Sequence, residues 1–116
     1  MIAHVVLFEP KSTVSAGAKR DFLDEIRSVA RNIPSIGRAL IGRTTSLAIV
    51  PANSIGQQTY EYSAIFEFVT EGDLQAYLTH PSHDRLRALF WEYCQATLIA
   101  DMDLDDPSSA QLDKLV

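Results

Sequence analysis

The chain of 116 residues holds a single cysteine, Cys94, so no intrachain disulfide can form. It has no uninterrupted apolar run of membrane-spanning length, and no membrane partner is expected. The start, Met1-Ile2-Ala3-His4, lacks the basic n-region of an export signal, so the reading is a cytoplasmic protein. No basic stripe with interleaved aromatics is present, which argues against nucleic acid as a partner. A glycine-rich phosphate loop and a serine-centred nucleophile motif are both missing.

Charge of one sign is scarce in each half. Residues 1–43 hold seven Lys/Arg against four Asp/Glu, while residues 44–116 hold three against eleven, for a net charge of −5. The late acids Asp101, Asp103, Asp105, Asp106 and Asp113 read as a solvated end of the chain. With 47% hydrophobic and 22% charged residues, the composition is that of one folded domain, here residues 1–104, followed by a tail over 105–116.

Hydrophobic periodicity alternates between sheet and helix. Residues 3–8 are β-branched and aromatic and read as a first strand. Ala18, Phe22, Ile26, Val29 and Ile33 then form an apolar helical stripe that Pro34 stops. Residues 36–49 read as a second strand in which Gly37 or Gly42 marks a bulge, and Pro51 to Gln58 as a loop. From Tyr60 to Val69 the alternation is clearest, with Tyr60, Tyr62, Ala64, Phe66 and Phe68 on one face.

Thr70-Glu71-Gly72-Asp73 has the spacing of a capping box, ahead of a short helix with Leu74, Tyr77 and Leu78 inward. Ser82 is the expected cap of a further helix carrying Leu86, Leu89, Phe90 and Tyr93, and Gln95 to Leu104 reads as a last strand. The order β-α-β-β-α-β, its second helix broken at His80-Pro81, predicts an α+β ferredoxin-like sandwich with a four-stranded antiparallel sheet. Helices cover one face of such a sheet, yet the first strand is apolar on both, which predicts a homodimer. The alternative is a monomer whose tail folds across the open face.

Tyr77-Leu78-Thr79-His80-Pro81-Ser82-His83 gathers two of three histidines and a tyrosine, the side chains suited to proton transfer near neutral pH. His83 falls in the first turn of a helix, where the positive end of the dipole disfavours imidazolium and leaves a neutral base. A Tyr77 hydroxyl could hold a carbonyl and stabilise enolate charge as His83 removes the adjacent proton, with no cofactor required. His80-Pro81 reads as a corner whose imidazole caps backbone carbonyls. Tyr77 fits a core position equally well, and His83 a structural cap. His4 shares a face with Val6 and Phe8 and reads as a hydrogen-bonded core residue. His80 and His83 with His4 could approach a zinc ion, but no cysteine or carboxylate stands at a recognised spacing, so no metal is expected. Cys94, at a helix end without a neighbouring cation, reads as a core thiol.

His4-Val5-Val6-Leu7-Phe8, Phe68-Val69-Thr70-Glu71-Gly72-Asp73-Leu74-Gln75-Ala76-Tyr77, the histidine-proline signature and Asp101 together resemble the stress-responsive α/β-barrel (dimeric α+β barrel, Dabb) family over about residues 2–104. The resemblance implies ferredoxin-like protomers whose sheets pack into a barrel across a dimer. A minority of the family resembles cofactor-free polyketide cyclases, whose histidine and tyrosine would fall on His83 and Tyr77, with His4 as the first-strand histidine. Glu9-Pro10-Lys11 departs from the basic run that many relatives carry there.

Three functional readings follow. One is a pocket lined by Tyr62, Phe66, Tyr77 and Phe90, with His80 nearby, that binds a small apolar carbonyl compound. Another is a cyclase-like enzyme performing aldol-type proton transfer with His83, Tyr77 and His4. The last is a non-catalytic stress or scaffold protein; a cofactor-free monooxygenase of similar fold has less in its favour.

Overall fold

A computed structural model describes residues 1–45 and 58–115. Its elements run β1 (Ile2–Pro10), α1 (Ala16–Asn32), β2 (Arg38–Arg43), β3 (Tyr62–Phe68), α2 (Glu71–Leu78), α3 (Pro81–Tyr93) and β4 (Cys94–Asp103), then a 3-10 turn at Ala110–Leu115. The end of the expected second strand, 46–49, and nearly all of the expected 51–58 loop lie outside the described residues.

All strand pairs are antiparallel and the sheet order is β2-β3-β1-β4, the ferredoxin-like arrangement. The apolar first strand is therefore central and β4 lies at an edge. No bulge occurs at either glycine: β2 and β3 pair without a shift, and the irregularity falls at Glu9/Pro10, opposite Cys94. Proline has no N–H to give the ladder, so pairing slips where it enters. Gly37 answers a different need. Its N–H donates to the Glu67 carbonyl at 2.8 Å, and a Cβ there would sit 3.2 Å from that oxygen.

Helix α1 begins where the Ser15 hydroxyl accepts from the Ala18 N–H, and it ends at Ile33, one residue before Pro34. Its buried stripe of Phe22, Ile26 and Val29 packs on the sheet face formed by Ile2, Val6, Phe8, Ala64, Phe66 and Phe68. Phe8 is 0% exposed and lies edge-on to Phe22 and Phe90, with ring centroids 5.6 and 5.0 Å away.

The Thr70 hydroxyl accepts from the Asp73 N–H and starts α2, as the capping pattern predicts. Eight residues are too few for a helix to persist alone. Tyr77 anchors this one, its ring 5.4 Å from both Phe66 and Phe68. Ser82, the expected cap of α3, lies inside that helix. The cap is His80, whose Nδ1 accepts from the Ser82 N–H at 3.1 Å, with Pro81 in the first turn. The imidazole thus serves an orphan amide and not the carbonyls expected from the sequence, because the free groups at a helix N-terminus are donors. Cys94 ends α3 and opens β4.

The face away from the helices carries Val5 and Leu7 with Leu98 and Met102, the last two 50% and 49% exposed. The tail turns on itself through Asp106 and Ser108 and leaves these side chains open. Among the described residues, no helix is long and apolar enough to cross a membrane.

Candidate active site

Four elements bring the titratable residues together. On β1, His4 faces the helices because it alternates with Val6 and Phe8, and it is only 4% exposed. The antiparallel register sets Asp101 of β4 directly across from it. His4 Nδ1–H donates to Asp101 Oδ1 at 2.5 Å, a charge-assisted bond that orients the ring and leaves Nε2 on its far side.

The His4 ring then meets Tyr77 of α2 edge-on at 5.3 Å, and Tyr77 meets His83 of α3 at 4.8 Å. Asp101, His4, Tyr77 and His83 therefore form a continuous row from the edge strand to the start of α3. Phe66 and Phe68 support Tyr77 from behind.

The row borders a cleft of about 570 Å³ between α2, α3 and β4. Val6, Leu86, Phe90 and Ile99 make its apolar lining, and Tyr77, His83, His4 and Asp101 its polar end. Edge-strand geometry creates the opening: the helix-facing side of β4 extends past the helices, leaving Ile99 59% exposed.

Burial moves Tyr77 and His83 in opposite directions from their ordinary values. Burial, and then the nearby Asp101 carboxylate, push the Tyr77 hydroxyl well above the usual phenol value, so it stays a neutral donor. The His83 imidazole is held below its ordinary value first by burial, then by the charges of His4 and Arg87, against the opposing pull of Asp84 and the Leu78 carbonyl. The neutral form is therefore favoured, and its Nδ1 is buried without a partner among the described residues. Burial likewise pushes the Cys94 thiol up to about 11, away from nucleophilic use.

Of the expected pocket residues, Tyr77 and Phe90 line the cleft. Tyr62 stacks on Phe8 at 5.5 Å, Phe66 packs behind Tyr77, and His80 caps α3; none of these three lines it. Asp101, Leu86, Arg87 and Ile99 border the cleft without having been singled out as site residues. Arg87 stands four residues from His83, a helical spacing visible in sequence, whereas Asp101 joins His4 only through the register of two distant strands. Among the described residues no three His, Cys or carboxylate groups converge to hold a metal ion.

Residues 2–104 match the family model described as the stress responsive A/B barrel domain. No curated protein matches the chain in sequence. Among solved structures, a protein of Arabidopsis thaliana is 17% identical with a TM-score of 0.78, covering 94% of this chain and 100% of its own. The hydroxynitrile lyase of Passiflora edulis is 14% identical with a TM-score of 0.76, over 93% of this chain and 96% of that one. A ferredoxin-like protein of unknown function from Thermobifida fusca, described as dimeric, is 19% identical with a TM-score of 0.71, over 89% and 90%. At these identities the likeness is one of fold.

Proposed function

The chain belongs to the stress-responsive A/B barrel domain family, and from that premise we propose that it works as a homodimer whose protomers each bind a small apolar carbonyl compound in the cleft beside Tyr77 and His83. The observation that carries this reading is the convergence of the His83 imidazole and the Tyr77 phenol, their ring centroids 4.8 Å apart, on one largely apolar cleft. Tyr77 donates its hydroxyl to the carbonyl oxygen. His83 takes a proton from the adjacent carbon, and the electron pair moves into an enolate that the phenol stabilises. His4, fixed by Asp101, buttresses Tyr77. Reprotonation at carbon closes an exchange reaction; attack of the enolate on a second carbonyl would make it an aldol-type condensation.

The simplest test is isotope exchange into 4-phenyl-2-butanone in deuterated buffer, followed by proton NMR. Exchange well above the buffer rate is expected, and a rate equal to buffer contradicts the proposal. Hydroxynitriles belong in the same panel, since a structural neighbour bears that activity in its name.

The dimer rests on the exposed apolar side chains of the uncovered sheet face and on structural neighbours described as dimeric. Leu98→Asp places a carboxylate on that face and is expected to raise the dimer dissociation constant by about 100-fold or more. Sedimentation equilibrium reads the change; an unaltered constant would place the interface elsewhere.

A further inference from the structure

The polar groups of the cleft are not evenly distributed along it. His4 and Tyr77, 4% and 2% exposed, form the deep end, and the Asp101 carboxylate on which His4 is anchored borders that end from the edge strand, its side chain 42% exposed. One turn further along α3, Arg87 lines the outer part, beside Trp91, which is 81% exposed at the rim. Among the described residues, Arg87 is the only Lys or Arg on the cleft. Its neighbour Arg85 points to α1 and pairs with Glu25 at 3.3 Å, whereas Arg87 has no ion-pair partner among the described residues. Its charge is felt at His83, where it helps to hold the imidazole neutral.

An arginine fork set beside an aromatic plane is a receptor for a planar oxyanion. The Asp101 carboxylate repels such a group from the deep end, so an anionic ligand can enter in one orientation only. We propose that the cleft selects apolar oxo acids, which bind with the carboxylate on the Arg87 guanidinium and the ketone on Tyr77. Arg87 stands four helical residues, roughly 6 Å of rise, beyond His83 on α3, so the carboxylate and the carbon that faces His83 are several bonds apart, with the intervening chain or ring against Leu86 and Phe90. The inference rests on the carbonyl-binding reading and adds the substrate class to it.

The test compares 5-oxo-5-phenylpentanoate with its methyl ester, two probes of nearly equal shape that differ in charge. Calorimetry and α-proton exchange are measured on wild type, Arg87→Gln and Arg87→Lys. Wild type is expected to bind the acid about tenfold more tightly than the ester. Arg87→Gln brings the ratio of acid to ester affinity close to one; Arg87→Lys keeps part of the preference, and added salt reduces it. Equal affinities in wild type, or a preference surviving Arg87→Gln, overturn this inference alone, provided the ester still binds and exchanges in a His83-dependent way. If neither probe binds, the carbonyl-binding reading falls with it.

Discussion

Replacing His83 with glutamine is expected to slow α-proton exchange into a bound ketone by about 100-fold or more, the usual loss when a positioned general base is removed. Glutamine keeps a polar group of similar reach at the start of α3 but cannot take up a proton. His80, Pro81 and the cap on Ser82 remain, so circular dichroism and sedimentation should match wild type. Tyr77→Phe keeps the ring that packs on Phe66 and Phe68 and removes only the donor; it too should lower exchange by about 100-fold.

The pH profile has a definite sign. A base works in its neutral form, and the His83 value lies below the ordinary 6.5. Exchange should therefore be level through neutral pH and fall only as the pH drops beneath the normal imidazole range. A fall beginning above pH 7, or a His83→Gln rate within twofold of wild type, would remove His83 from the chemistry.

The largest expected effect on stability is that of Phe8→Ala. Phe8 is fully buried at the centre of the sheet and meets Phe22, Tyr62 and Phe90 at centroid distances of 5.6, 5.5 and 5.0 Å. Truncation removes the ring and leaves a cavity between β1, α1 and α3, which none of these elements can close without moving off the sheet. The loss should be about 3–5 kcal/mol, a large part of the stability of a domain this size. Urea unfolding at fixed protein concentration measures it. A loss under about 1 kcal/mol would mean that the two helices are not pinned through this cluster.

The same residues show how far the sequence could be read. The elements and their order were visible because the periodicities are strong: α1 buries Phe22, Ile26 and Val29, and β3 buries Ala64, Phe66 and Phe68, as their spacing predicts. Element ends were less legible. Ser82 is a better cap by residue type than His80, but proline favours the first turn of a helix, and Pro81 therefore moves the start back by two residues. The row at the cleft was only half visible. Tyr77, His80 and His83 are close in sequence, yet α3 turns His80 towards its own backbone while Tyr77 and His83 meet. Asp101 reaches His4 across 97 positions through strand register, which no local pattern encodes. Tyr62 and Phe66 share a face with the core, and alternation alone does not tell packed aromatics from pocket walls.

The central claim is that a ketone lies in the cleft with its oxygen on the Tyr77 hydroxyl, and carbon-13 NMR of carbonyl-labelled 4-phenyl-2-butanone tests it most directly. A hydrogen bond from the phenol polarises the carbonyl and should move the bound resonance downfield of the free ketone in apolar solvent. Tyr77→Phe should abolish that shift while the ketone still binds. A bound resonance at the apolar-solvent position in wild type, or a downfield shift that persists in Tyr77→Phe, would contradict the account.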